Sequence, residues 1–453
     1  MCLPHMHETA LQPERALLLH VHMAWTSEQD RQQRAGELAS LAGTAGAIVV
    51  GHVSQVLSET HAASLIGAGK VQELAEAVAQ AQADLVIVSA NLTGSQLRTL
   101  EAACGVRTID RTQLILDIFA SRARSFEGKA QVALAQLQYT LPRLTGARAN
   151  LSRQGGGIGT RGPGETALEQ DRRRIRKRIA ALEQVVREQA TRRSELRARR
   201  RRQGVYSVAI VGYTNAGKTT LLSRLTGRYG QSTAAAGSDR LFDTLDVTSK
   251  RVVWRGRTYV FADTVGFIRD LPHNLVDAFR ATLEEVVAAD VIVHVIAADS
   301  PCAEIELATA NAELDELQAY APTIAVWNAR RAHTAAGEDE CAMRESSQPL
   351  PDRRARATIH GSVLEEATLQ AVLDQVDACV GERRWVTLRI PPERPDVIAD
   401  LYARADVDSV SADGESIVLR VRADDNVAGA WAGFVCDPLE PGRMQIGNSE
   451  HSR

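Results

Sequence analysis

Gly212-Tyr213-Thr214-Asn215-Ala216-Gly217-Lys218-Thr219 decides the reading of this chain. The stretch fits G-x-x-x-x-G-K-[ST], the phosphate-binding P-loop. Two glycines let the backbone N–H groups wrap a phosphate. The lysine reaches the β- and γ-phosphates, and the hydroxyl holds the Mg²⁺ that bridges them. By ordinary residue frequencies, a chain of this length shows the pattern by chance only about 1–2% of the time. Its flanks make chance less credible. Val205 to Val211 reads as a buried strand and Thr219 to Leu225 as the start of a helix. Strand, glycine loop and helix N-terminus is the order that aims a helix dipole at phosphate. The chain has only five lysines beside 48 arginines, and Lys218 is one of them.

Downstream residues narrow the site. Val252-Val253-Trp254 and Thr258 to Phe261 read as a hairpin around Arg255-Gly256-Arg257. The second strand runs into Asp263-Thr264-Val265-Gly266. A carboxylate at a strand end followed by a glycine suits Mg²⁺ holding and γ-phosphate sensing through the glycine N–H. Phe242-Asp243-Thr244-Leu245-Asp246 lies in a Gly/Ser/Thr-rich stretch, and Thr244 is the expected second Mg²⁺ ligand of a switch loop. Phe267 follows Gly266, where many such enzymes place a glutamine that orients water. An apolar side chain cannot do that, so intrinsic hydrolysis is expected to be slow or to use another group.

The remaining chain is organised around this loop. At 453 residues, two to four domains are expected. The net charge of −3 hides an asymmetry: Arg153 to Arg202 carries 16 basic and 6 acidic residues. A local basic block suggests a polyanionic partner. Residues 1–25 carry little signal. Ala47 to Gly51, Asp84 to Val88 and Val106 to Ile109 read as strands, with helices over Lys70 to Ala81 and Gln96 to Ala103. From Arg111 to about Leu141 the chain turns helical. Arg153 to Gly164 then holds six glycines in ten residues, read either as a flexible linker or as a loop approaching a phosphate backbone. Glu165 to Arg202 reads as a long helix. Its seam of Leu168, Ile175, Ile179, Leu182 and Val186 fits a helical hairpin, with arginines on the other faces. Past the nucleotide region, Val386, Leu388 and Ile390, and then Ile417, Leu419 and Val421, alternate as half-buried strands around a helix at Asp396 to Arg404.

The six cysteines form no C-x-x-C pair, and His5/His7 and His20/His22 are weak metal signals. No apolar run reaches membrane-spanning length, and no signal peptide is evident. A reduced, cytoplasmic monomer with at most loose membrane association is expected.

Taken in order, these motifs resemble the HflX family of ribosome-associated translational GTPases. The likeness covers most of residues 28–300. It includes Thr44-Ala45-Gly46-Ala47, Ile66 to Lys70, Ile109-Asp110-Arg111-Thr112, Leu116 to Ala120 and Leu141-Pro142-Arg143-Leu144. It continues through Arg161-Gly162-Pro163-Gly164-Glu165-Thr166, Asp171-Arg172-Arg173, Gly212 to Thr219 and Asp263 to Pro272. The resemblance implies an α/β protein: a P-loop, Ras-like G domain at 204–381 preceded by an α/β domain at 1–145. It also implies a Gly-rich loop and basic helical arm at 146–203 and a small α+β domain at 382–453. It implies GTP hydrolysis with Mg²⁺ on Thr219 and Thr244, and Lys218 and Thr244 as catalytic groups. It implies that the Gly155–Gly164 loop and the arm meet rRNA of the 50S subunit, in some members to split stalled ribosomes under stress.

One departure bears on the substrate. Guanine reading normally uses N-K-x-D after a buried strand. Here Thr323 to Trp327 is that strand, and Asn328-Ala329-Arg330-Arg331 follows. Asn328 remains a candidate base contact, but the carboxylate that accepts from guanine N1 and N2 is absent. Ile359-His360-Gly361-Ser362 lies near the place of the later S-A-K element without matching it, and 330–357 reads as loop. ATP acceptance beside GTP, or a vestigial nucleotide cycle, are the competing readings.

Overall fold

The computed structural model describes residues 13–144, 163–230, 248–269, 283–329, 352–381, 384–413, 416–423 and 431–436. Three sheets organise them. The first has the order β2-β1-β3-β4 and is wholly parallel: β1 (Arg15–Met23), β2 (Ile48–Leu57), β3 (Leu85–Val88) and β4 (Arg107–Asp110). The helices α1 (Glu28–Thr44), α2 (Ala68–Ala81) and α3 (Gly94–Cys104) are its crossovers. Two apolar clusters cover its faces, as a parallel sheet requires. Strand β1 stands at the centre of the sheet, although residues 1–25 gave little expectation of it.

The helical stretch expected from Arg111 divides into α4 (Arg111–Arg122) and α5 (Phe126–Arg143), the second capped by the Ser125 hydroxyl. Asp110, fully buried at the end of β4, ties this corner together. It accepts from Gln113 N–H (2.9 Å), Leu92 N–H (3.0 Å), Tyr139 Oη (2.6 Å) and Arg143 Nη2 (3.0 Å). A buried carboxylate needs that many donors. The long helix α6 (Pro163–Arg202) runs back along α5, giving the expected hairpin.

The second sheet has the order β10-β9-β8-β5-β7-β6. Its strands β5 (Val205–Val211), β7 (Arg257–Asp263), β8 (Val291–Ala297), β9 (Thr323–Asn328) and β10 (Ala355–Gly361) are parallel. Only β6 (Thr248–Trp254) is antiparallel, in the hairpin expected around Arg255-Gly256, both with positive φ. The helices α7 (Lys218–Tyr229), α8 (Ala303–Glu316) and α9 (Glu366–Val380) pack on it. Strand β10 corrects the loop expected over 330–357: its first three residues, Ala355 to Ala357, are already sheet. Ala355, Ala357 and Ile359 alternate with arginine, threonine and histidine there, a short period-2 signal.

The third sheet, β12-β13-β11-β14, is antiparallel: β11 (Arg384–Ile390), β12 (Asp406–Asp413), β13 (Ser416–Ala423) and β14 (Val435–Cys436), with α10 (Pro395–Arg404). Leu388, Ile390, Leu419 and Val421 meet Val397 and Leu401 in its core. Among the described residues no helix is long and apolar enough to cross a membrane.

Candidate nucleotide-binding site

The loop between β5 and α7 carries the decisive motif at the C-terminal edge of the parallel strands, where such sheets open a crevice. Its two glycines are where backbone crowding leaves no alternative. Gly212 has φ +146°, and a Cβ there would stand 2.2 Å from Val295 O. Gly217 has φ +103°, and a Cβ would stand 2.4 Å from Asn328 Nδ2. Asn215, with φ 62°, takes a left-handed turn that asparagine tolerates. Ala216 and Thr214 are buried in the loop.

Lys218 opens α7 and is buried. Its Nζ donates to Gly212 O (3.1 Å) and Tyr213 O (2.7 Å). Burial pulls the ammonium down to about 8, against an opposing pull from Asp263. The Thr219 hydroxyl donates to Asp263 Oδ2 at 2.7 Å. A hydroxyl and a carboxylate in contact are the hard oxygen donors that Mg²⁺ takes. Asp263 ends β7 with no exposure, and Thr264 Oγ1 anchors the next turn on Ile210 O (2.8 Å). Val265 is buried, and Gly266 lies against Thr214 and the Lys218 ammonium. The structure therefore gathers Gly212 to Thr219 with Asp263 to Gly266. Phe242, Asp243, Thr244, Leu245 and Asp246 lie outside the described residues, as do residues 155–162 of the Gly-rich loop, Arg330 and Arg331.

Phe267 is buried and belongs to the apolar cluster that also holds Leu38, Ala42 and Phe119 of the first layer. Its ring is packed into that core. The water-orienting position is thus filled by a packing residue.

At the other end of the loop, Asn328 is 1% exposed and joins three segments. Its Nδ2 donates to Ala216 O (2.9 Å), and its Oδ1 accepts from Val363 N–H (3.1 Å). Strand β10 delivers Ser362 and Val363 beside it, and Ala329 N–H donates to Gly361 O (3.1 Å). The segment after β10, from Ser362, thus lies against Asn328.

Sequence reading also missed a group of residues brought to the loop by the first layer. Tyr213 Oη donates to Glu37 Oε1 (2.8 Å) and accepts from Arg269 N–H (3.1 Å). Residues 176 positions apart leave no local signal of contact. Among the described residues no cluster of three His, Cys, Asp or Glu could hold a metal. His20, His22 and His52 instead lie side by side on β1 and β2, with His20 Nε2 3.0 Å from His52 Nδ1.

A buried P-loop lysine beside a hydroxyl–carboxylate pair, on a glycine loop at the edge of a parallel sheet, defines a P-loop nucleotide-binding domain. The comparisons agree. Residues 32–120 match the family described as GTP-binding GTPase N-terminal, 122–200 the GTP-binding GTPase Middle Region, and 207–329 the 50S ribosome-binding GTPase family. GTPase HflX of Caldanaerobacter subterraneus is 50% identical over 71% of this chain and 74% of its own length. GTPase HflX of Alkalihalophilus pseudofirmus is 47% identical over 66% and 70%. GTPase HflX of Escherichia coli is 38% identical over 90% and 93%. The chain belongs to the HflX family of GTPases.

Proposed function

We propose that this GTPase associates with the 50S ribosomal subunit through rRNA and acts in ribosome splitting, rescue or recycling under stress. The observation that carries the reading is the basic end of α6. Six of the seven residues from Arg172 to Arg178 are basic, and the Arg173 and Arg174 side chains are 82% and 80% exposed. Their acidic neighbours Glu169 and Asp171 sit on the same helix, at 4.0 and 3.9 Å. Forty residues of helix span about 60 Å. At the far end Arg193 meets Glu284 (2.9 Å) and Arg197 meets Glu285 (2.7 Å), fixing the arm to the nucleotide-binding layer. Such an element presents arginines to phosphate far from the GTP site while remaining mechanically joined to it. The Gly155–Gly164 loop, at the same end of the arm, is assigned to the same rRNA surface. The protein acts as a cytoplasmic monomer in this reading, in four parts: 1–145, 146–203, 204–381 and 382–453.

The nucleotide is assigned to Gly212–Thr219, Phe242–Asp246, Asp263–Gly266 and Asn328. Loop amides and Lys218 hold the β- and γ-phosphates, and Thr219 and Thr244 take Mg²⁺, with Asp263 behind Thr219. A Mg²⁺ held there would supply charge neutralisation to the phosphates. With Phe267 packed away from any water, hydrolysis is slow until a partner supplies the missing positioning.

Co-sedimentation with purified 50S subunits at rising salt tests the reading. Binding that weakens steeply with salt and depends on Arg172 to Arg178 is expected. Salt-independent binding, or none, overturns it. The second reading, ATP accepted beside GTP or a vestigial cycle, is favoured by one observation: Arg331 stands where the guanine-reading carboxylate belongs. Titration with fluorescent GTP and ATP analogues separates the two. Equal affinities support relaxed specificity, and a clear GTP preference removes it.

A further inference from the structure

Each of the three sheets ends in two edge strands, and β2 differs from the others. An edge strand presents a row of N–H and C=O groups that a further strand can take up, so proteins shorten such strands or charge them. Here β14 has two residues and β4 has four. Strand β6 carries Lys250 and Arg251, β10 carries Arg356, and β12 carries Asp408 and Asp413. The outer side of β6 is also bridged, Val252 to Gly230. Strand β2 has neither device. Its ten residues, Ile48 to Leu57, include no Asp, Glu, Lys or Arg. It pairs with β1 on one side, and among the described residues no strand lies on the other.

The edge is firmly held. Its register shifts once, at Val50, and pairing is regular from Gly51 to Leu57. A bulge can twist an edge out of reach, but this one leaves seven regular residues beyond it. Val53 and Leu57 are buried in the cluster that also holds Leu74 and Val78 of α2. His52, Ser54 and Val56 alternate with them and are exposed. Ala24 N–H donates to Leu57 O (2.8 Å), which brings Trp25, 76% exposed, to the end of the strand where Val56 is 46% exposed.

An extended backbone is what matches such a row of main-chain groups. Seven residues at about 3.3 Å each make an edge about 23 Å long. With a sheet about 10 Å thick, edge pairing would bury about 230 Å² on each partner, against about 800 Å² per partner in a stable complex of folded proteins. A second copy meeting its twin here would bury too little to hold. A flexible segment instead draws its affinity from main-chain bonds and alternate side chains along the edge. A charged side chain in that segment would find no opposite charge on β2, so an uncharged segment is the match. Val56 and Trp25 favour an apolar residue at its end.

We propose that β2 is a docking edge for an extended, uncharged segment of a partner protein, which adds a fifth strand to the first sheet along Gly51 to Leu57. The edge uses neither the P-loop nor the arginines of α6, so it stands independently of the nucleotide and rRNA readings.

The test titrates the full-length protein with a fluorescein-labelled peptide of alternating threonine and valine, about ten residues long so that it spans β2. Saturable binding that does not change with salt is expected, since no charges meet. Amide exchange should slow over Gly51 to Leu57. Ser54→Lys with Val56→Lys places two lysines on exposed positions and should weaken binding about tenfold or more, as two cross-strand pairs are lost. Val253→Lys, on the already charged β6, should leave it unchanged. Equal binding by parent and double variant, protection over another strand, or no binding overturns the proposal. A concentration-dependent dimer that the double variant dissolves also overturns it, because the edge then belongs to a second copy. If the double variant does not fold, Ser54→Lys alone carries the comparison.

Discussion

Asn328→Ala should do more damage than removing any single phosphate ligand, because Asn328 builds the site. Its side chain is 1% exposed, and the atoms it serves, Ala216 O and Val363 N–H, belong to residues 1% and 2% exposed. Water cannot replace it at either. Leaving a buried polar group without a partner costs about 1–3 kcal/mol, so two of them cost about 3 kcal/mol after partial relaxation. For a unit of this size each kcal/mol moves the midpoint by about 2–4 °C, giving a fall of roughly 6–12 °C. The same loss frees the Ala216–Gly217 turn, and affinity for GTP and GDP should fall together by about 100-fold. Asn328→Asp should be no milder: it keeps the acceptor for Val363 but faces a carboxylate oxygen to Ala216 O. Differential scanning fluorimetry without nucleotide, followed by titration with both nucleotides, makes the measurement. A midpoint within about 2 °C of the parent, or a loss confined to GTP, would refute the view that this side chain frames the base end.

Three further outcomes follow from the geometry. Thr219→Ala removes the hydroxyl bonded to Asp263, so phosphate release should drop at least about 100-fold and half-saturating Mg²⁺ should rise; a rate within twofold of the parent shows that the metal is held elsewhere. His20 sits buried against His52 and His22, and burial, then those neighbours, lowers it to about 4. The unfolded chain therefore takes the proton first, and stability falls as pH drops from about 6.5 towards 4, by up to about 3 kcal/mol. Urea melts at pH 7 and pH 5 read this directly, and the pH difference should shrink in His20→Leu; equal curves for parent and variant count against the assignment. Arg173→Ala with Arg174→Ala should weaken 50S binding at every rRNA sequence tested. It should also flatten the log–log salt slope by roughly 0.7–0.9 for each rRNA phosphate that is no longer neutralised. An unchanged slope places these arginines off the rRNA.

The P-loop layer was legible because its signals are local. Val205 to Val211 is an apolar run broken only by Ser207, beside a motif whose glycines are sterically compelled, and the structure puts strand, loop and helix where the residues ask for them. The central strand β1 was illegible for the opposite reason. Paired on both edges and covered on both faces, it has no alternation to read, and its two histidines resemble ligands. They are core histidines, stacked against each other in a parallel sheet. The break between α4 and α5 hid in one helical pattern because Ala123 to Ser125 carries neither glycine nor proline. The contacts of Tyr213 with Glu37 and Arg269 could not be read from sequence at all. Glu37 and Arg269 are ordinary surface-type residues until the fold sets two layers against each other.

The two ends of the nucleotide site are consequently built on different physical terms. The Asn328 end is closed within one sheet: Asn328, Ala216 and Val363 come from the end of β9, the P-loop after β5 and the segment after β10. Nothing there can shift without breaking buried bonds, which suits a frame that both GTP and GDP must meet alike. The phosphate end is closed across two layers. Its Phe267–Arg269 segment bonds to the P-loop by two backbone hydrogen bonds and to α1 and α4 by side chains. Arg111 opens α4, α4 packs on α5, and α5 lies along the arm α6. The segment that follows Asp263–Gly266 is therefore the one that touches the layer leading to the arm.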